Sequence, residues 1–478
     1  MESFEYVGEW WLPGNGHQKV QGVLSFAPNE WAKLQITIED DSDAALLTDS
    51  HPLQPFSIVL GTMNARPVTL CHCSLADQPF TWTQRHMTRR FIFLIHTVFV
   101  GAHFESEDDM LLDKLTLRYT HLDEWMGQFN FEVTVSAEHG GLGIKHSPFD
   151  PIRVEVNDLE IEFDCREQFA PVMKISRWVS LRETAWITLK PRGNKSMNYW
   201  DYVPYINLYI PTLLTVATRA YNFPMYVGAI ASQEAKSSLS IYYSIPGYIE
   251  KPRHLGHWDM LFRFEDLNQH DRLQDRLASW ISKCEKLRTV TELYFRFYYQ
   301  PDLDTETKFL FVAQMMEAYQ RSMYGGKYPT SQPYKRASRA LISNIPDWIE
   351  EPLRTNLKAM ISNANRFSFY SRILFMLQSV LSEHEWTLRN IVGNFEDFAS
   401  RVTTRRNKLT HRSGTPSDQD IPKAKLPEYV ANMETILRLC FLVEIGFTSE
   451  EIESLWSKYA AKPRFHHFPT SARPAQTN

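Results

Sequence analysis

The stretch DRLQDRLASWISKCEKL (Asp271–Leu287) places Leu273, Leu277, Trp280, Ile281, Cys284 and Leu287 three or four residues apart. That spacing gathers apolar side chains on one face of an α-helix. The chain before it has another rhythm. From Glu5 to about Val135 short apolar runs alternate with polar residues, as in Lys33–Glu39 and Phe131–Val135, and Pro, Gly, Asn and Asp interrupt them. Period-two alternation with such breaks predicts strands. Val154–Phe163 and Ala185–Leu189 continue the strand pattern, while Tyr205–Ala220 carries a helical period. The N-terminal part is therefore expected to be strand-rich to about residue 200 and mixed α/β after it.

Working outward on the other side, the Pro301–Asp304 breaker precedes a long apolar-periodic run, Phe309–Arg321. Asp, Thr and Glu residues in front of it suit the first turn of a helix. A Gly325-Gly326 and Pro329/Pro333 loop follows, then helices are predicted near 346–364, 367–383, 386–412, 427–446 and 448–459. The fold class is thus α+β, a strand-rich domain with a mixed continuation over 1–300 followed by an all-α bundle over 301–461. The tail 462–478 has too little apolar content to fold by itself.

Composition bounds the function. A chain of 478 residues with a net charge of −5 is large enough for two or more cores and is not a general polyanion binder, so any nucleic-acid site must be a local basic patch. No apolar run approaches the ~18 residues of a membrane-spanning helix. The acidic start Met-Glu-Ser-Phe-Glu lacks the apolar core of a secretory signal, and five cysteines read as reduced thiols. A cytoplasmic protein without membrane attachment is expected.

The basic patch is Arg401–Arg412, which holds Arg401, Arg405, Arg406, Lys408 and Arg412 beside His411 and contains no acidic residue. Such a block is where an anionic ligand would be held, although cations near a helix C-terminus can also be an ordinary solvated face. The helical stripe Phe395, Ala399, Val402, Arg406, Leu409 puts Arg406 on the apolar side, where a guanidinium is costly unless it is paired or lines a site. Arg406 and His411 leave one straight helix ~140° apart. They converge only if the helix frays after Thr410 or two copies meet across a dimer. A His that titrates near neutrality can move protons and an Arg can grip a phosphate, together enough for metal-free RNA cleavage in which the RNA supplies its own 2′-OH.

Arg406-x4-His411, with Asn407 directly after the Arg, resembles the R-x4-6-H motif of HEPN ribonucleases. Phe309–Glu317 resembles the opening helix of the ApeA-like HEPN family with its characteristic Glu. Gly8-Glu9-Trp10-Trp11-Leu12-Pro13, Val20-x-Gly22-x-Leu24, Pro67-Val68-Thr69-Leu70 and Leu122-Asp123-Glu124-Trp125 are similar to that family's companion N-terminal domain. The resemblance implies an antiphage abortive-infection endoribonuclease that cuts host RNA, with tRNA the expected substrate, when infection is sensed, in response to a phage-encoded trigger. It also implies catalysis by Arg406 and His411 with Asn407 as helper. Arg405-x5-His411 satisfies the same spacing, and only the Asn after Arg406 favours Arg406. Arg401, Arg405, Lys408 and Arg412 are the candidate substrate contacts, and Glu317 either pairs with Arg321 at the surface or orients Arg406. A homodimer through the helical domain is expected, with no metal and no cofactor. The rival is a non-catalytic dimerisation or RNA-binding scaffold whose N-terminal domain does the work.

Other constellations are weaker. In Cys71-His72-Cys73, alternate residues of a strand point to opposite faces, so His72 parts from both thiols and no second ligand pair completes a zinc site. Trp10, Trp11, Trp31, Trp82, Trp125 and Trp186 suit a β-domain core better than a ligand platform. His384, His466 and His467 have no supporting pattern.

Overall fold

The computed structural model describes residues 1–38, 56–77, 80–82, 87–127, 131–135, 142–169, 181–232, 237–300, 302–328, 331–411 and 420–460. Two compact units divide the chain, Met1–Ala278 and Ser279–Asn478. The architecture is α+β, strand-rich first and helical after.

In the first unit the strands β1 (Phe4–Trp11), β2 (Val20–Phe26), β3 (Ala32–Ile38), β4 (Phe56–Met63) and β5 (Arg66–Asp77) are followed by β6 (Phe80–Trp82) and the long β7 (Met87–Val100). β7 pairs with β3 over Arg89–Ile95 and with β5 over Ile92–Val100, so the order β7-β3-β2-β1-β4-β5 closes into a six-stranded antiparallel barrel. Closure leaves no free edge on these strands. Trp10 is fully buried inside, its indole Nε1 donating to the Gly22 carbonyl at 3.2 Å. A Cβ on Gly61 would lie 2.2 Å from the Trp10 ring and one on Gly22 3.0 Å from it, so the two glycines create the space that the indole fills. Cys73 lies in the barrel core, whereas Cys71 is buried outside that cluster, and His72 between them, at φ 53°, pairs with Glu107 at 3.0 Å.

The sheet extends from β7 through Ser238–Tyr243, Pro224–Ala231, Leu111–Tyr119, Leu181–Pro191 and Leu159–Phe169 to Ile152–Val156. Phe131–Val135 and Leu142–His146 form a separate hairpin. The helical period over 205–220 appears as a π-helical turn, Tyr205–Tyr209, running into an α-helix, Ile210–Thr218. Trp125 is buried like Trp10, whereas Trp31 stays half exposed.

The helices from Asp271 on are α1 (Leu273–Cys284), α2 (Arg288–Tyr299), α3 (Thr305–Tyr324), α4 (Ser331–Ser343), α5 (Glu351–Asn363), α6 (Phe369–Phe375), α7 (Glu385–Val392), α8 (Phe395–His411), α9 (Leu426–Ile445) and α10 (Ser449–Ala460). All six apolar positions of the Asp271–Leu287 stretch are buried. The units divide inside α1, some twenty residues before the expected boundary near 300. The reason is packing within the second unit. Trp280 and Tyr294 place their rings against Phe441 of α9, so α2 and the end of α1 belong to the helical core. α9 is that core's axis, with Met433, Ile436, Leu437, Cys440, Phe441 and Ile445 all buried. Its buried Glu444 is satisfied by Tyr319 at 2.7 Å and Lys283 at 2.6 Å.

Two predicted elements differ. The continuous helix over 386–412 is two helices, because Gly393 adopts φ 73° and Asn394 then caps α8 by accepting from the Asp397 amide at 2.8 Å. The expected loop through Pro333 contains α4. Pro333 lies in its first turn, where a missing N–H costs nothing. Together α4 and α5 form a hairpin with no buried residue among those described, leaving Leu341, Trp348, Leu353 and Met360 exposed. Its base is pinned by a bridge between Lys327 and Arg366 and by the Tyr328 and Phe367 rings at 4.1 Å.

Candidate active site

α8 begins with Phe395, Phe398, Ala399 and Val402 turned into the bundle. Continuing that stripe by one turn brings Arg405 inward, and Arg406 falls at its edge. This corrects the expectation that Arg406 occupies the apolar side. The Arg405 side chain is 7% exposed, with Nη2 2.7 Å from Glu306 and Nη1 3.5 Å from Asp420. Lys408 reaches the same Asp420 at 2.6 Å. Burial pushes the Asp420 carboxyl up, but the Lys408 hydrogen bond and the two cationic charges outweigh it and hold the group below the usual carboxylate range. A guanidinium so enclosed braces α8, and the geometry argues against a substrate contact for Arg405.

Arg406 is 31% exposed and is held from three sides. Nη2 donates to Glu317 of α3 at 3.2 Å, Nη1 donates to the Asn407 side-chain oxygen at 3.3 Å, and the guanidinium lies 5.6 Å from the Phe369 ring centre of α6. Glu317 is shared, because its other oxygen accepts from Arg321 at 2.8 Å. Both alternatives for Glu317 therefore coexist. Arg401 pairs with Asp397 one turn back at 2.7 Å. The cations of 401–408 that the sequence shows without an acid are thus each met by a carboxylate, three of them from other elements of the unit.

α8 continues through His411. The helix does not fray after Thr410, so the Arg406 and His411 positions diverge by ~140° around its axis. The His411 side chain and all of Arg412 lie outside the described residues, as do His466 and His467. His384 is a buried structural residue, bonded through Nδ1 to Glu453 at 2.9 Å. Among the described residues no group of three or more His, Cys, Asp or Glu is arranged to hold a metal ion, and no helix is long and apolar enough to cross a membrane.

Sequence reasoning missed Arg372. It lies on α6 one turn after Phe369, 5% exposed, donates through Nη1 to Gln320 and feels the charges of Glu317 and Arg321. The signal was available: an Arg on the buried stripe Phe369, Ile373, Met376 raises the same question that was asked of Arg406.

A strand-rich unit is followed by a helical bundle whose eighth helix carries Arg406-x4-His411, the arrangement expected of a HEPN protein. Residues 5–280 match ApeA N-terminal domain 1 and residues 310–451 match the Apea-like HEPN domain. The chain belongs to the ApeA-type family of antiphage HEPN nucleases. No curated protein and no solved structure matches it.

Proposed function

We propose that the protein is an endoribonuclease that cleaves host RNA by transesterification without a metal, tRNA being the expected target, and so arrests translation during infection. The observation that carries this is Arg406, about one-third exposed at the edge of α8 yet fixed by Glu317, Asn407 and Phe369. A guanidinium held ready in that way can meet the charge that develops on a phosphorane. The RNA 2′-oxygen attacks phosphorus as the bond to the 5′-oxygen breaks. His411 takes the 2′ proton or gives one to the leaving oxygen. The products are a 2′,3′-cyclic phosphate and a 5′-hydroxyl. Glu317 is a positioning residue, Asn407 a polar helper, and the part-exposed Arg401 and Lys408, with Arg412, supply backbone contacts.

Because α8 is helical through His411, a phosphate that feels both residues must draw one from a second chain, so the active form is a dimer joined along α8. The strand-rich unit senses a phage-encoded trigger in the cytoplasm. The deciding test incubates purified protein with total tRNA in excess EDTA. Cleavage to cyclic-phosphate ends that His411→Ala abolishes is the expected result; activity that survives in His411→Ala, or that EDTA stops and magnesium restores, overturns the assignment.

A further inference from the structure

Three helices of the second unit bring more positive charge to Arg406 than the basic block alone supplies. On α3, Glu317, Gln320 and Arg321 share a face by their i, i+3, i+4 spacing, and on α6 Phe369 and Arg372 do so by i, i+3. Among the described residues Glu317 is the one carboxylate paired with this group, bridging Arg321 and Arg406. Behind them, Arg372 has among the described residues only the neutral Gln320 as hydrogen-bond partner, and its Nε and the Gln320 Nε2 are buried with no partner among those residues. Burial lowers the Arg372 pKa, with Glu317 opposing and Arg321 reinforcing the shift.

The backbone is shaped around these side chains. Gly326, buried at φ 68°, lies where a Cβ would be 3.2 Å from Arg372 Nη1 and 3.3 Å from the Arg321 stem. A buried guanidinium facing a neutral amide, with unmet N–H donors, is costly unless an anion completes it. Three guanidiniums against one carboxylate leave a formal surplus of two positive charges, in a chain whose net charge is −5.

Resting on the RNA-cleaving function proposed above, we infer that Arg321 and Arg372 form a second phosphate-binding subsite beside Arg406, which takes a neighbouring phosphodiester of the RNA strand being cut, in an unpaired segment of the substrate. Glu317 is its resident counter-ion, spreading between the two subsites while they are empty. Arg321, at the surface, meets the strand first. Arg372 completes the contact from below, with donors already desolvated. Arg406 keeps the reacting phosphate.

The test measures binding of a fluorescein-labelled single-stranded RNA to full-length His411→Ala protein, in which turnover is blocked, over a range of KCl concentrations. Adding Arg372→Gln or Arg321→Gln is expected to weaken binding several-fold at low salt. Each should flatten the slope of log affinity against log salt by ~0.7, one phosphate contact on a single strand. A merely structural role for Arg372 would leave that slope unmoved. Unchanged affinity and slope in both variants overturn the subsite. Should Arg372→Gln not fold, Arg321→Gln decides alone, since that side chain is 62% exposed and its loss leaves the bundle intact. Wild-type protein that cleaves RNA while the slopes stay unchanged removes only the subsite; flattened slopes in a protein that cleaves no RNA remove only the nuclease assignment.

Discussion

Arg405 and Arg406 are adjacent in sequence and opposite in circumstance, and truncating each should fail differently. Arg405→Ala leaves Glu306 and Asp420 facing a gap, but Glu306 is 41% exposed and Asp420 keeps Lys408, so the loss is ~1–2 kcal/mol, below that of a fully buried pair. Its melting temperature should fall by several degrees, with activity lost in proportion to unfolded protein. Arg406→Ala should keep its melting temperature within a degree or two and lose cleavage. Thermal melts beside rate measurements separate the two, and equal melting temperatures would show that Arg405 is no brace. Asp420 adds a pH dependence with a definite sign. Its folded pKa is depressed, so its contribution to stability is complete above the unfolded carboxylate value of ~3.9 and is lost as pH falls through the folded value. Asp304, capping α3 and held low by Thr307, acts in the same direction. The second unit should therefore destabilise below about pH 4, and Asp420→Asn should make the melting temperature less dependent on pH between about 3 and 5. A wild-type slope retained in Asp420→Asn would rule the clamp out. Which of the two arginines turns inward was not legible in the sequence, because a 100° step leaves both near the apolar stripe. Glu306 and Asp420 meet Arg405, and neither carboxylate lies on α8.

Elements were legible where their signal is local. The three- and four-residue spacing from Leu273 gives α1, and the alternation in Lys33–Glu39 gives β3. The break at Gly393 was lost because no proline marks it and the apolar period runs on across it. Barrel closure carries no local signal at all: it depends on β7 finding β3 and β5 at once. What the sequence does offer is the pairing of Trp10 with glycines. Trp10→Ala should empty the barrel interior and cost ~3–5 kcal/mol. Gly61→Val should be comparably damaging, since its side chain would enter the ring's volume. Denaturant midpoints for the two variants check this; a Gly61→Val protein as stable as wild type would mean that the barrel can shift Trp10 aside without penalty.

At the scale of the whole chain, family membership was legible from motifs spread over both units, and the division point was not. Ala278/Ser279 is set by which helices pack on α9, and composition says nothing of that. On the function proposed above, the site also depends on this scale, because α8 is helical through His411 and its Arg406 and His411 positions diverge. Mixing Arg406→Ala with His411→Ala protein should restore a fraction of the cleavage rate, since half of the composite sites in a mixed dimer would be intact. Rates that stay at the background of either variant, under conditions where subunits exchange, would argue that each chain carries its own site.

The exposed hairpin of α4 and α5 also has an optical consequence. Trp348 at its tip is 83% exposed, whereas Trp10, Trp125 and Trp280 are sealed in cores. Indole in water emits at longer wavelength than indole in a core and is open to collisional quenching by iodide. Among the described residues the red edge of the intrinsic emission is therefore weighted toward Trp348 and Trp386, at 76% exposed, with smaller shares from Trp258 and Trp31. Trp348→Phe would isolate the share from the tip, giving a label-free signal for any event in which the hairpin becomes covered.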